Sequence, residues 1–317
     1  MNMSVHEPVL LHEVVTGLVS SDSVMGIGAR SFWYLDGTLG GASHARAIAK
    51  VFGAKLNIIG FDQDPQAIER AQKTLTKATS GKVILENENF RNLDKVLDKH
   101  GVEKVDMILL DLGISSDELE TSGRGFTFQK DEPLFMTLGD PTKHPFTARD
   151  IINGWEEEDI ANVIFAYGEE RFARRIAKAI VRYREKKSIE TSFELAEIVK
   201  SAVPFAARGQ SGKRKTNPAT KTFQALRIAV NDELNALKEG LVKGFARLAP
   251  GGKMAVISFH SLEDRIVKEY FRSLNKKSDG EKSEANILTK KPIVPTDQEV
   301  AENPRSRSAK LRIIQKI

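Results

Sequence analysis

Three aspartates close short apolar runs in the first third of the chain: Asp36 after residues 31–35, Asp62 after Leu56–Phe61, and Asp111 after residues 105–110. In open α/β sheets ligands bind beyond the carboxyl ends of the strands, where these three side chains would gather. A turn rich in glycine (Gly37, Gly40, Gly41) follows the first run. Without side chains in the way, such a turn lets a cofactor approach backbone N–H groups. Asp62, at the end of the second run, stands where a carboxylate can accept both hydroxyls of a ribose. A Gly-rich first turn with a second-strand acid fits a nicotinamide dinucleotide as well as S-adenosylmethionine. Asp36 tilts the choice: a carboxylate is awkward beside a pyrophosphate and acceptable near a sulfonium and an ammonium. An oxidoreductase that uses NAD stays open as the alternative on these residues alone.

The elements that must position these groups can be read from the order of patterns. Continuous apolar runs at 31–35, 56–61, 83–85 and 105–110 alternate with helical stretches, the pattern of a parallel sheet buried on both faces. One helix is expected from about Ser43, and Pro65 is suited to the first turn of the next. Between about residues 116 and 216 the alternation stops. That segment reads as loops and helices, with a capping box at Thr191-Ser192-Phe193-Glu194. It resumes with one long helix expected over about 222–249, a Pro250-Gly251-Gly252 turn and a strand over 253–258. A helix capped by Ser261 with Asp264 should follow, then a flexible loop over about 275–285 and a closing strand over 309–317. The expected fold is therefore α/β, mostly parallel, with residues 1–115 and 217–317 forming one domain and 116–216 a helical insertion. No internal repeat is evident.

Composition narrows the classes. The 317 residues are 40% hydrophobic and 29% charged and contain no cysteine, so disulfides and thiolate metal sites are excluded. Six scattered histidines show no paired ligand spacing, and no metal is expected. The first residues lack a basic leader followed by an apolar stretch, and no run has the length of a membrane span, so a cytoplasmic protein without a membrane partner is expected. The net charge of +5 is unevenly distributed. Residues 117–170 hold four Lys/Arg against 13 Asp/Glu, and residues 171–216 hold 13 against four. In the basic stretch Arg171, Arg174, Arg175, Lys178 and Arg182 share one side of a helix, opposite Phe172, Ile176, Ala179, Ile180 and Tyr183. Such a face is either solvated, with the acidic stretch supplying internal ion pairs, or made for a polyanion. Two further clusters, Lys213-Arg214-Lys215 and Arg305, Arg307, Lys310 and Arg312, favour a surface that tracks phosphates.

A series of motifs spans nearly the whole chain: His6-Glu7-Pro8-Val9-Leu10, Asp36-Gly37-Thr38-Leu39-Gly40, Asp111-Leu112-Gly113-Ile114-Ser115-Ser116 and Arg124-Gly125-Phe126-Thr127-Phe128. It continues with Tyr167-Gly168-Glu169-Glu170-Arg171-Phe172, Pro218-Ala219-Thr220-Lys221-Thr222-Phe223-Gln224-Ala225-Leu226-Arg227, Ser258-Phe259-His260-Ser261-Leu262-Glu263-Asp264-Arg265 and Asn303-Pro304-Arg305-Ser306-Arg307-Ser308. In this order the blocks resemble the bacterial ribosomal RNA small-subunit methyltransferase H family, also called MraW. The resemblance implies a class I, Rossmann-like methyltransferase domain with a helical insertion. It implies methyl transfer from S-adenosylmethionine to the N4 of a cytosine in the decoding centre of 16S rRNA in the small ribosomal subunit. It further implies cofactor contacts from Gly40, Gly41, Ala42, Ser43, His44, Asp62, Phe90, Asp111 and Glu118, with plain core packing equally open for Phe90 and capping or packing for His44. Asp111 and Ser115 are the expected catalytic groups. Arg175, Thr220, Phe223, Gln224, Arg227 and His260 are the expected substrate contacts, with helix-start packing equally open for Phe223 and turn-fixing for His260. Monomer and homodimer both remain open.

The sequence also departs from the family pattern. The usual Gly-Arg-Gly-Gly-His-Ser is Gly40-Gly41-Ala42-Ser43-His44-Ala45, so two expected glycines are Ala42 and Ser43. Glu118 stands for a glutamine, Asn217 for a histidine, and Pro133-Leu134-Phe135-Met136-Thr137-Leu138 for Pro-Leu-Asp-Met-Arg-Met. Ala42, Ser43 and Asn217 encourage a second reading, an RNA-binding ribosome-assembly factor with a degenerate methyltransferase site.

Overall fold

A computed structural model describes residues 8–19, 30–115, 118–119, 122–204, 217–276 and 283–317. The Lys213-Arg214-Lys215 cluster, the start of the first motif (His6-Glu7), Ser116 and most of the 275–285 loop lie outside the described residues. The chain divides into two compact units, one of residues 1–113 and 234–317, the other of residues 114–233.

The first unit is built on a seven-stranded sheet of order β3-β2-β1-β4-β5-β7-β6. Its strands are β1 (Phe32–Asp36), β2 (Leu56–Phe61), β3 (Val83–Glu86), β4 (Val105–Asp111), β5 (Leu248–Ser258), β6 (Ala285–Ile287) and β7 (Lys310–Lys316). The first five are parallel, and β7 pairs antiparallel with both β5 and β6. Alternate residues of each strand feed two cores. Tyr34, Ile58, Leu109 and Ile257 pack towards α1 (Leu11–Leu18), α2 (Ser43–Phe52) and α3 (Pro65–Leu75). Leu35, Ile59, Ile108 and Met254 pack towards α4 (Leu93–Lys99), α10 (Glu233–Arg247) and α11 (Ser261–Asn275). Burial on both faces is why these strands read as continuous apolar runs. At the start of α3, Pro65 sits in the first turn and the Asp64 carboxylate accepts from Gln66 N.

The second unit is helical: α5 (Ala148–Gly154), α6 (Glu157–Gly168), α7 (Ala173–Arg184), α8 (Ser192–Ala202) and α9 (Thr220–Asn231). Its own core joins Ile151, Ile164, Ile176, Leu195, Phe223 and Leu226. The expected capping box at Thr191 and Glu194 opens α8.

Two boundaries differ from the sequence reading. The helix expected over about 222–249 is two helices, broken at Asp232, which is left-handed with φ 50°. The helical unit runs to Glu233 rather than to 216, because α9 buries Phe223, Leu226 and Val230 in the helical core. Asn231 ties that end down. Its amide donates to Met136 O (2.7 Å) and Arg227 O (2.8 Å), and its Oδ1 accepts from Leu138 N (2.8 Å). Met136 itself is left-handed, φ 57°, and fully buried, so this strained loop depends on the bonds that Asn231 supplies.

Replacing Asn231 with Leu keeps most of the volume but takes away the partners of the buried Met136 carbonyl and the half-buried Leu138 N–H. Chemical denaturation should show a loss of about 3 kcal/mol. A loss below about 1 kcal/mol would mean that Asn231 does not hold the Met136 loop.

Candidate active site

The parallel register brings the strand ends of the first unit into one row: Asp36 lies opposite Gly60 of β2 and Leu109 of β4. The turn after β1 is stitched to both neighbours. Gly37 N donates to Leu109 O (2.9 Å), Leu39 N to Phe61 O (2.9 Å), and Asp111 N to the hydroxyl of Thr38 (2.6 Å). A Cβ on Gly37 would lie 2.4 Å from Leu110 Cδ2, so that side chain would have to shift to admit one.

Each of the three expected acids has a distinct setting. Asp36 is buried; it accepts from the Tyr34 hydroxyl (2.9 Å) and from Thr38 N (3.2 Å). Burial pushes its carboxyl up to about 6, although both hydrogen bonds favour the charged form. Asp62 accepts from Gly40 N (2.8 Å) and Asp64 N (2.9 Å), and burial raises it while these amides pull it back. Its two oxygens are thus already engaged with backbone, each keeping acceptor capacity for a further donor. Asp111 is raised well above the ordinary carboxylate range by burial, then by the charges of Asp36 and Glu263. Its Oδ1 is buried without a hydrogen-bond partner, and its Oδ2 lies 3.7 Å from Nδ1 of His44. The His44 ring is fixed by a 3.0 Å bond between Nε2 and Val9 O.

The loop of Gly40 to His44 keeps its openness despite the two substitutions. A Cβ on Gly40 would meet nothing within 4 Å, and one on Gly41 only the Ser43 hydroxyl at 4.0 Å. Ala42 is left-handed, φ 57°, a conformation that costs a non-glycine residue about 1–2 kcal/mol. Its methyl group is fully buried in the core, worth about 0.8 kcal/mol, which offsets much of that strain. The methyl is therefore turned away from solvent and does not fill the approach to the backbone. Ser43 begins α2. Phe90 is half-buried, and its ring lies so close to α10 that a Cβ on Gly240 would be 2.5 Å from it. An open glycine turn, an engaged but unsaturated Asp62 and an orphaned oxygen on Asp111 together fit a cofactor with hydroxyl donors and positive charge.

His260 is the N-cap of α11, one residue before the expected cap at Ser261. Its Nδ1 accepts from Glu263 N (3.4 Å), and Glu263 Oε2 accepts from Phe259 N and His260 N (2.8 and 3.3 Å). The turn-fixing alternative therefore accounts for His260. Tyr34, Thr38 and Glu263 escaped the sequence reading. Thr38 and Glu263 sit inside quoted motifs, but nothing in a linear pattern shows that one ties the first turn to β4 and the other charges Asp111.

In the helical unit the expected residues meet mostly structural partners. Ser115 N donates to Glu118 Oε2 (2.9 Å) and Ser115 Oγ accepts from Glu118 N (3.1 Å), while Glu118 Oε1 lies 3.6 Å from Arg124 Nη2. The carboxylate that replaces glutamine thus has a cation beside it. Asn217 Oδ1 accepts from Ala219 N (2.9 Å) and its carbonyl from Thr220 N (3.0 Å), so it shapes the start of α9. Thr220 is half-buried there. Phe223 is 5% exposed and meets Phe128 edge-on at 5.4 Å, which is helix packing rather than a face open for stacking. Gln224 Nε2 donates to Tyr167 O (3.0 Å). Arg227 is clasped by both oxygens of Glu233, each at 2.8 Å. Arg175 is exposed.

The basic clusters also sort themselves. Lys310 and Arg312 pair with Asp264 at 3.3 and 2.7 Å, so they serve the fold rather than a phosphate surface. Arg171, Arg174, Arg175, Lys178 and Arg182 are all exposed, and none forms an ion pair among the described residues. Tyr183, expected on the apolar side of that helix, is 36% exposed.

The raised carboxyl of Asp36 has a pH signature. An unfolded Asp titrates near 3.9, so the folded state holds this proton up to about pH 6 and is penalised once it is lost. Stability from this group is therefore complete below about pH 4 and falls by about 3 kcal/mol as the pH rises through 6. Measured by urea unfolding of the cofactor-free protein, Asp36→Asn should gain about 3 kcal/mol on wild type between pH 4 and pH 7. A difference between the two proteins that does not change with pH would contradict the assignment.

Comparison with known proteins agrees with this arrangement. The family model described as "MraW methylase family" matches residues 3–317. Similar proteins named "Ribosomal RNA small subunit methyltransferase H" include those of Lachnospira eligens (42% identical, covering 98% of each chain) and Acetivibrio thermocellus (44%, covering 98% of this chain and 99% of the relative). A third, from Heliobacterium modesticaldum, is 43% identical over 98% of both chains. With its five parallel strands, antiparallel β7 and acidic strand ends, the chain belongs to the MraW methylase family and is a class I methyltransferase whose methyl donor is S-adenosylmethionine.

Proposed function

We propose that this enzyme methylates the N4 amine of a cytosine in the decoding centre of 16S rRNA, acting in the cytoplasm on the small ribosomal subunit, with the helical unit as the RNA-binding domain. The observation that carries the reading is Asp111: a carboxyl at the end of β4 with one buried, unpartnered oxygen and a raised affinity for protons. The names of the relatives supply the ribosomal substrate, and no described helix is long and apolar enough to cross a membrane.

A cytosine amine is a poor nucleophile because its lone pair is delocalised into the ring. When bound, S-adenosylmethionine supplies an electrophilic methyl group and the positive charge that the acidic strand ends lack. Gly40, Gly41, Ala42, Ser43 and His44 would hold it through the open turn, with Asp62 on its ribose, Phe90 on its adenine, and Glu118 as a further contact. Asp111 then accepts a hydrogen of the amine, which favours the pyramidal, more nucleophilic form, and Ser115 helps to orient it. The amine proton becomes acidic only as the C–N bond forms, so a carboxylate with raised proton affinity suffices as acceptor. Alignment contributes much of the acceleration. The target base must leave its stack to be reached. Arg175, Thr220, Gln224 and Arg227 remain the proposed direct substrate contacts; Arg175 is exposed and has no ion pair among the described residues. Phe223 and His260 would act through packing and the α11 cap.

The alternative, an assembly factor with a degenerate site, loses its main supports. Ala42 leaves the turn open, Glu118 faces Arg124, and Asn217 has work at the start of α9. Labelled methyl transfer onto small subunits and onto naked rRNA, followed by nucleoside analysis, should yield N4-methylcytidine. Asp111→Ala should abolish transfer with the fold intact. Label on a carbon, a ribose oxygen or protein would refute the cytosine-N4 reading, and near-normal turnover of the variant would remove Asp111 from the mechanism.

A further inference from the structure

The exposed cations of α7 are arranged in a way that the fold itself does not require. Arg174, Arg175, Lys178 and Arg182 recur at helical spacing, which confines them to an arc of about 100° on α7, while Arg171 precedes the helix and lies over the Phe172 ring at 4.7 Å. From Arg174 to Arg182 the strip runs about 12 Å along the axis, and Arg171 stands in the turn just before it. Cations at these spacings repel one another and weaken the helix that carries them. The opposite face holds the strip in place, since Ala173, Ile176, Ala177 and Ile180 are buried in the helical core.

The acids of the same unit do not neutralise the strip among the described residues. Glu190 is taken by Arg149 (2.6 Å) and Glu194 by Lys187 (2.5 Å). Glu157, Glu158 and Asp159 occupy the first turn of α6, where they complement its dipole. The unit pairs Arg149 and Lys187, whereas Arg174, Arg175, Lys178 and Arg182 have no ion pair among the described residues.

We infer that this face of α7 is a docking strip for the sugar-phosphate backbone of RNA, one that supplies affinity without reading sequence. The inference rests on the proposed RNA substrate. The linear spacing suits a polyanion with regularly repeated charges, and four of the five cations are arginines, whose planar forks match phosphate oxygens. An acidic membrane fits less well. A helix that lies on a membrane needs a free apolar face to insert, and the apolar face of α7 is spent in the core.

The test is a salt titration of binding to a fluorescein-labelled single-stranded RNA of small-subunit sequence. It compares wild type with Arg174→Ala/Lys178→Ala/Arg182→Ala and with the charge-preserving Arg174→Lys/Arg182→Lys. The triple variant should bind about tenfold more weakly at moderate salt, and its slope of log K against log salt should be shallower by about 2. The lysine variant should keep the wild-type slope, which a merely structural role would not predict. All the side chains changed are exposed, and equal thermal unfolding midpoints establish that the fold is retained. Wild-type affinity and slope in the triple variant would overturn the inference, as would loss of binding to phosphatidylserine vesicles with RNA binding unchanged. Wild-type protein that neither binds nor methylates rRNA would instead overturn the proposed substrate, so the two failures are distinguishable.

Discussion

The fold gathers negative charge where it is least well solvated. A parallel sheet with helices on both faces brings the ends of β1, β2 and β4 together, and each end carries an aspartate. The charge of Asp36 raises the proton affinity of Asp111, that of Asp62 raises Asp36, and neither Asp36 nor Asp111 has a Lys or Arg partner among the described residues. Unpaired acids in a buried site cost stability unless they hold protons or meet a cation. Other features of the site follow from that tension. The Tyr34 hydroxyl and the Thr38 amide partly stabilise Asp36, backbone amides hold Asp62, and the glycine turn leaves the row open to a ligand. S-adenosylmethionine, with its sulfonium and ammonium, is the kind of cofactor that resolves the tension on binding.

Much of the methyltransferase unit was legible in the sequence because its strands are buried on both faces. Runs such as Leu56–Phe61 admit few other readings, and three of them are closed by the aspartates Asp36, Asp62 and Asp111. The local rules also worked where they are strong, at Pro65 and at the Thr191–Glu194 box. They failed where a local signal competes with a tertiary one. The pattern over 222–249 is helical throughout, and nothing in it marks Asp232 as the left-handed break that lets α9 join a different core from α10. His260 displaced Ser261 as the cap because an imidazole nitrogen can accept as well as a hydroxyl, with Glu263 in the reciprocal position.

Site residues were harder to assign than elements, since residue type does not reveal the partner. Arg227 suits a base or a carboxylate equally, and Glu233 takes it. Phe223 suits stacking or packing, and Phe128 takes it. The C-terminal cations read like those of α7 in sequence, yet Asp264 binds two of them while the row on α7 has no ion pair among the described residues. The departures from the family pattern have the same character. Ala42, Glu118 and Asn217 look like losses in a linear comparison, and each has a local partner or a buried contact that accounts for it.

The central claim is that the acidic strand ends are poised for a cationic ligand. Titration calorimetry near pH 6, repeated in buffers of different ionisation enthalpy, counts the protons exchanged when a ligand binds. S-adenosylmethionine should release protons as its charge pulls Asp36 and Asp111 into their ionised forms. S-adenosylhomocysteine, which lacks the sulfonium, should release fewer. Proton uptake, or equal release with the two ligands, would contradict the account.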